Sequence, residues 1–140
     1  MSITLWGRYR LRGTTTMPDE GLNGFLSSLY HALRTRRRRQ VIQLLRTSDE
    51  LVLTVRSLAK QIAAEEHGVR PAHATGEPYR NAYNALSQTH LPTLADTDII
   101  IYDPKRQRVS QGPNFRIAAL LIAIDTPAVR LFQEESDSSG

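Results

Sequence analysis

The apolar residues in the first half of this 140-residue chain recur at two different spacings. From Leu22 to Leu33 they follow the three-and-four spacing of one helix face, which predicts a first helix. The same spacing returns at Val41–Leu45, with Thr35 as a candidate N-cap. A short β-prone run, Leu51–Leu53, then precedes a third helical segment. The pattern therefore predicts two helices, a short strand and a third helix.

The third helical segment places Val55, Leu58 and Ile62 on one face, with Thr54 as its cap and Gly68 as its end. A loop at 67–78, rich in Gly, Pro and His, follows and is longer than the turn of a simple helix-turn-helix. A fourth helix is predicted from about Glu77 to His90. We expect Leu91-Pro92 to end it, since a proline disfavours helical backbone in the residue before it.

Two β-prone segments, 98–102 and 108–110, flank the turn residues Asp103–Gln107 and predict a β-hairpin. The order is then helix, helix, strand, helix, helix, hairpin. This order favours a mainly α fold with a β-hairpin, namely a winged helix-turn-helix with an added C-terminal helix.

The ends of the chain differ in composition from this middle part. We expect residues 1–21 to form an arm and linker, 22–111 the winged domain, 112–133 an apolar helix, and 134–140 a disordered acidic tail. The run Ile117–Ile124 has eight residues without a polar one, which is too short to span a membrane. Either its own domain or a second copy covers it. We favour a homodimer, formed through Ile117, Leu120, Leu121 and Ile124.

The charge balance favours a polyanionic partner. The net charge is +4, the pI is about 9.8, and 16 of the 18 basic residues are Arg. A GC-rich genome also enriches Arg. The chain has no Cys, and residues 1–12 lack the apolar core of a secretory signal, so we expect a cytoplasmic protein.

The fourth predicted helix has a polar face made of Arg80, Asn81, Asn84 and Gln88. Arg pairs with guanine, and Asn or Gln with adenine, in the major groove. An ordinary solvated face is the alternative, but it more often carries Glu and Lys. The hairpin adds cations at Lys105, Arg106 and Arg108, which favour contacts with phosphates or with the minor groove, or simply keep the hairpin soluble.

The run of Arg36, Arg37, Arg38 and Arg39 falls where the second helix is predicted to begin. Cations there oppose the helix dipole, and a bound phosphate would offset them. Two alternatives remain open: the helix continues from the preceding one, or some of these residues pair internally with Asp or Glu.

The sequence contains no nucleophile elbow, Walker loop or dinucleotide glycine pattern, and its four histidines have no metal-ligand spacing. We therefore expect no enzymatic activity, no metal and no cofactor. His90 is predicted to pack and to form a hydrogen bond at the end of its helix.

Several segments resemble a family of winged-helix domains from halophilic archaea whose precise function is unassigned. They are the Arg36–Arg39 run, Leu58–Ala64 with Glu66, the string Gln88–Pro92, and Tyr102-Asp103, which together cover roughly residues 25–111. The resemblance implies an archaeal DNA-binding regulator. The basic charge of this chain departs from the acidic surface usual in halophiles.

These observations together predict a transcriptional regulator that binds double-stranded DNA as a homodimer, with residues 77–90 in the major groove and the wing at about 99–110. The alternative is a protein-interaction module that uses the winged helix as a scaffold.

Overall fold

The computed structural model describes residues 18–124 and divides the chain into two units, Met1–His31 and Ala32–Gly140. The first unit contributes one described helix, α1, at Pro18–Ala32. It begins four residues before the predicted start at Leu22, because proline, which lacks an N–H, is suited to the first turn of a helix. Residues 1–17 of the predicted arm and linker lie outside the described residues.

Within residues 32–124 the second unit has five further helices and three strands, in the predicted order except for one additional helix before the wing. Their bounds are α2 Arg36–Thr47, β1 Val52–Thr54, α3 Val55–His67, α4 Gly76–Ala85, α5 Leu91–Asp96, β2 Ile100–Asp103, β3 Arg108–Gln111 and α6, whose described part covers 115–124. A short 3₁₀ turn, Pro71–His73, lies within the loop between α3 and α4. The chain is thus a winged helix-turn-helix with a helix added after the wing, which confirms the predicted fold class.

The three strands form one antiparallel sheet in the order β1-β3-β2. Strand β1 pairs with β3 so that Leu53 faces Val109, and β2 pairs with β3 so that Tyr102 faces the same Val109. Because side chains alternate between the faces of a strand, Leu53 and Val109 point inward and are buried. The wing is therefore held to the strand that precedes α3.

The core lies between the sheet and the inner faces of α2, α3 and the helical stretch that runs from α4 to α5. Its largest fully buried side chains include Ile42, Leu45, Leu58, Ile62, Leu86, Leu91, Leu94 and Ile99. Burial of each such side chain contributes about 1.5–3 kcal/mol relative to exposure. The apolar spacing in the sequence identified these faces correctly.

Two of the predicted helix boundaries carry the expected caps. The Thr54 hydroxyl accepts a hydrogen bond from the backbone N–H of Ser57 at 3.0 Å, and Gly68 ends α3 with a left-handed φ of 65°. Thr35 occupies the N-cap position of α2, but its side chain makes no capping hydrogen bond there. Helix α2 begins separately from α1, so the two do not form one continuous helix.

The predicted end of the fourth helix at Leu91-Pro92 is wrong. Helix α4 passes into a π-helical segment, Leu86–His90, and then directly into α5, so helical backbone continues to Asp96. The N–H of Leu91 bonds to the carbonyl of Leu86, five residues back. This wider turn accommodates Pro92, which cannot donate a hydrogen bond and would clash in a regular α-helix.

Helix α6 packs one face on its own domain and leaves the other uncovered. Phe115, Ala118 and Ile122 are buried, whereas Leu120 and Ile124 keep 57% and 54% of their surface exposed. Gly112 lies in the segment just before this helix. A Cβ at this position would lie 2.6 Å from the Asp98 carbonyl oxygen, so only glycine fits. Residues 125–140, including the predicted acidic tail, lie outside the described residues.

Among the helices within residues 18–124, none is long and apolar enough to cross a membrane.

Candidate nucleic-acid interface

One face of α4 and its π-helical extension is polar and exposed. It carries Arg80, Asn81, Asn84 and Gln88, all of which are exposed, as the helical spacing predicts. The opposite face is fixed in the core through Ala82 and Leu86, neither of which keeps any measurable exposure. The buried face therefore determines the direction in which the four polar side chains point.

Gln107, the last residue of the wing turn, joins the wing to α4. Its Oε1 accepts hydrogen bonds from the Tyr83 hydroxyl at 2.8 Å and from the Ser87 hydroxyl at 3.2 Å. Its Nε2 donates to the Tyr102 hydroxyl at 3.1 Å and to the Pro104 carbonyl at 2.7 Å. The amide oxygen of Gln107 thus holds the wing against the helix, and its amide nitrogen forms bonds within the wing.

The backbone of Gln107 adds a link to α3. Its carbonyl accepts a hydrogen bond from the N–H of Val55, the first residue of α3, at 3.0 Å. Its φ is 54°, a left-handed value unusual for a residue with a side chain. The hydrogen bonds around Gln107 offset the free-energy cost of that backbone conformation.

Tyr83 and Ser87 lie one helical turn apart, next to Arg80 and Asn84 on α4. Since both contact Gln107, the wing runs along this edge of the polar face. Arg106 and Arg108, on either side of Gln107 in sequence, are exposed. The geometry thus brings the wing cations beside the polar face of α4.

The tip of the wing is shaped by Asp103. Its Oδ1 accepts hydrogen bonds from the backbone N–H groups of Lys105 and Arg106 at 3.1 and 3.2 Å. This turn is typical of Asp, whose short side chain can replace a backbone acceptor. The side chains of Lys105 and Arg106 are left exposed at the tip.

Most of the arginine run at the start of α2 is bonded or buried within the domain, unlike the exposed cations of the wing. Arg37 forms a bidentate pair with Glu66 through bonds of 2.7 and 2.9 Å, and Arg39 donates to the carbonyls of Leu33 and Arg34 at 2.7 and 2.9 Å. Arg38 keeps only 7% exposure. The alternative of internal pairing therefore holds for Arg37.

Arg36 is the most exposed member of the run, with 70% of its side chain accessible and Glu65 3.9 Å away. That separation makes a weak surface ion pair. Of the four arginines, Arg36 is thus the best placed to meet an external anion.

The comparisons with known proteins identify a family. Residues 30–110 match a domain of unknown function, DUF7344, and these residues include α2, the helix-turn-helix and the wing. The chain belongs to the DUF7344 family. Neither the curated proteins nor the solved structures contain a match.

Two residues of the DUF7344 domain near the arginine run, Glu66 and His90, have shifted pKa values. The hydrogen bonds from Arg37 hold the pKa of Glu66 below its ordinary value. Burial, followed by repulsion from Arg38 and Arg37, lowers the pKa of His90, whose Nδ1 has no hydrogen-bond partner among the described residues. His90 is half-buried, as its predicted packing requires, but it lies within continuous helical backbone and not at a helix end, and its Nδ1 does not form the predicted hydrogen bond within residues 18–124.

The predicted dimer residues lie on α6, which follows the DUF7344 match. Leu120 and Ile124 are exposed, while Ile117 and Leu121 are half-buried beside them. The four share one face of α6, as their spacing predicts.

The sequence pattern missed the network around Gln107. The turn composition predicts only that Gln107 belongs to a turn, and it does not indicate partners for Gln107 on α4. A polar residue with a long side chain in a turn, where Gly or Asn is usual, was the available signal.

Proposed function

We propose that this DUF7344 domain binds double-stranded DNA sequence-selectively and regulates transcription. The observation that carries the proposal is the polar face of α4, with Arg80, Asn81, Asn84 and Gln88 exposed and the wing cations beside it. In a helix-turn-helix the second helix enters the major groove, and here that helix is α4. Arg and Asn side chains form bidentate contacts with guanine and adenine.

In this arrangement the wing serves a second purpose. Lys105 and Arg106 at its tip meet phosphates or the minor groove, while Gln107 fixes their distance from α4. Phosphate contacts position the protein, and the α4 side chains distinguish bases. The pairing of these two surfaces supports DNA over a protein partner, because an adaptor needs no line of cations beside an Asn-rich face.

The test is a fluorescence anisotropy titration. A duplex is first selected from genomic fragments bound by the tagged protein, and a scrambled duplex of the same length is the non-specific reference. Arg80→Ala and Asn84→Ala should each weaken binding to the selected duplex by about 5- to 100-fold, the equivalent of 1–3 kcal/mol per bidentate contact. Binding to the scrambled duplex should change far less.

Arg116→Ala is the matched control, since Arg116 is exposed on α6. It lies beyond the end of β3 that is opposite to the wing tip. This variant should bind both duplexes as the unmodified protein does. A selected duplex that Arg80→Ala and Asn84→Ala still bind normally would contradict the proposal.

We further propose that the active form is a homodimer in which α6 pairs with its copy. Leu120 and Ile124 leave an apolar face on a helix already anchored by Phe115 and Ile122. Two-fold symmetry would present two α4 helices to successive half-sites.

Size-exclusion chromatography with light scattering tests the dimer. Leu120→Lys should give a monomer, because a charge would be buried at the interface. Ile101→Lys is the matched control, since Ile101 on β2 is equally exposed at 57%. Leu120→Lys should also lower DNA affinity for a two-half-site duplex. A wild-type monomer at every concentration would refute the dimer without affecting DNA binding by one copy.

A further inference from the structure

A groove of about 600 Å³ lies between α2 and α6. Its described lining residues belong to α2, α3 and α6, which separates it from α4 and the wing. They include Arg36, Arg39, Gln43, Leu44, Glu65 and Ile122. The volume is in the range of pockets that enclose a ligand, about 300–1,000 Å³, so the groove has room for several side chains of a peptide segment.

The chain itself leads into this groove. Ile122 lines it, and the described part of α6 ends two residues further on, at Ile124. The next residues, Asp125-Thr126-Pro127, favour a helix end, since a proline disfavours helical backbone in the residue before it. The segment after α6 therefore begins at the groove and is long enough to turn back into it. Its covalent connection gives it an effective concentration on the order of millimolar there, which favours it over a separate partner.

The charges of the groove and of this segment are opposite. Arg36 has 70% of its side chain exposed, and Glu65, 3.9 Å away, makes only a weak surface pair with it. Arg39 donates through Nη1 to two backbone carbonyls, which are uncharged and leave its positive charge uncompensated. Residues 131–140 contain no Lys or Arg and three acidic residues, Glu134, Glu135 and Asp137. The segment thus brings negative charge to a groove with two arginines and one glutamate.

The order of apolar and acidic side chains also matches. In the segment, Leu131-Phe132 precedes the acidic residues, and in the groove Leu44 supplies an apolar side chain. Leu44 lies two helical turns from Arg36 along α2, a distance of about 12 Å. An extended chain covers about 10 Å in three residues, which is the separation of Phe132 and Glu135. With the aromatic ring beside Leu44, the carboxylates therefore reach Arg36.

We propose that residues 131–137 of the same chain fold back into the groove between α2 and α6. Leu131-Phe132 packs against Leu44 and Ile122. Glu134-Glu135 pairs with Arg36, the most exposed member of the arginine run. The docked segment gives this arginine an anion from its own chain and leaves the cations of α4 and the wing uncovered.

Disulfide trapping in the full chain tests this fold-back, and the absence of Cys from the sequence makes an introduced pair unambiguous. Gln133→Cys in the segment is combined with Gln43→Cys in the groove. In a glutathione redox buffer, the effective concentration of this pair should be about tenfold higher than that of Gln133→Cys with Asn84→Cys. Asn84 lies outside the groove and is more exposed than Gln43, so a freely moving segment would favour neither position over the other, or would favour Asn84.

A non-reducing gel identifies the chain that supplies the segment. A disulfide within one chain supports the proposal. A disulfide formed only between two chains would assign the groove to the segment of a second copy. That result, or an effective concentration at Asn84 equal to that at Gln43, would overturn the proposal.

Exchanging the charges tests the pairing with Arg36. In the protein with the Gln43→Cys and Gln133→Cys pair, Arg36→Glu should lower the effective concentration about three- to fivefold, because an attraction becomes a repulsion. Adding Glu134→Lys and Glu135→Lys should restore it. Arg56→Glu makes the same change of charge on α3, outside the groove, and should have little effect. Equal losses in the two arginine variants, or no recovery after the exchange, would overturn the pairing.

Phe132→Asn tests the apolar contact. Loss of a buried aromatic side chain should lower the effective concentration of the same cysteine pair about fivefold or more. Val129→Asn is the matched control, since it removes an apolar side chain outside residues 131–137 and should change the value by less than about twofold. An unchanged value in Phe132→Asn would overturn the proposal.

Discussion

The domain has two clusters of cationic side chains, and their surroundings differ. At the start of α2, Arg37 is bonded to Glu66, Arg39 to two backbone carbonyls, and Arg38 is buried. At the wing and on α4, the side chains of Lys105, Arg106, Arg108 and Arg80 are exposed and make no hydrogen bond within residues 18–124. The denser cluster in the sequence is therefore the less available one in the structure.

The difference shows that a run of arginines does not by itself measure attraction for a polyanion. A guanidinium already bonded to a carboxylate or carbonyl must give up that bond to meet a phosphate. An exposed cation on a rigid support gives up only water and side-chain freedom. Most of the α2 cluster is thus bonded or buried within the domain, whereas the wing cations make no such bonds within residues 18–124.

The largest effect is expected from breaking the support of the wing cluster. Gln107→Ala removes the acceptor of the Tyr83 and Ser87 hydroxyls, and with it two further hydrogen bonds. Part-buried hydroxyls left without partners should lower the free energy of unfolding by about 2–3 kcal/mol. Urea denaturation followed by circular dichroism measures this loss.

Gln107→Glu is the control, because a carboxylate still accepts from Tyr83 and Ser87 while losing the donor to Tyr102 and Pro104. The free energy of unfolding should therefore fall less in Gln107→Glu than in Gln107→Ala. If the alanine variant unfolds at the same urea concentration as the unmodified domain, Gln107 does not hold the wing.

The next effect separates stability from binding. Arg37→Ala removes a bidentate pair and should lower the free energy of unfolding by about 1 kcal/mol, near the upper end for surface ion pairs because its geometry is good. Its affinity for DNA should not change. Arg80→Ala should instead reduce the affinity for DNA and change the free energy of unfolding by less than about 0.5 kcal/mol. A loss of DNA affinity in Arg37→Ala would place the α2 cluster at the interface.

Much of the fold could be predicted from the sequence, because local patterns of residues determine where its helices, caps and turns lie. The period of the apolar residues located the helices, Thr54 and Gly68 located the ends of α3, and the turn residues located the wing. The exposed face of α4 followed from helical spacing alone. Each of these features depends on residues within a few positions of one another.

Features that depend on distant residues could not be predicted in the same way. Pro92 indicated a helix end, yet the π-helical segment and burial of Leu91 and Leu94 let the helix continue. The pairing of Arg37 with Glu66 joins residues 29 positions apart, and the bond from Tyr83 to Gln107 joins residues 24 apart. Their partners become visible only when the helices pack together.

Measuring DNA affinity at several salt concentrations compares single cations of the two clusters. If Lys105 contacts a phosphate, Lys105→Ala should reduce the slope of log affinity against log salt by about 1. Arg36→Ala should leave the slope unchanged, because Arg36 lies at the start of α2, outside the proposed interface of α4 and the wing. Equal reductions in the two variants would show that both clusters meet the phosphate backbone.

The smallest effect concerns the dependence of stability on pH near the α2 cluster. Because burial and the charges of Arg38 and Arg37 lower the pKa of His90 from 6.5, the unfolded chain takes up a proton at a higher pH than the folded one. His90 therefore contributes stability that is present above pH 6.5 and is lost as the pH falls from there through the folded-state pKa. The lowered pKa of Glu66 acts below its ordinary value of 4.5 and does not interfere. Urea midpoints measured between about pH 7.5 and about pH 5.5 should fall less in His90→Gln than in the unmodified domain. The other three histidines are common to both proteins, so an equal fall would show that His90 does not cause this dependence on pH.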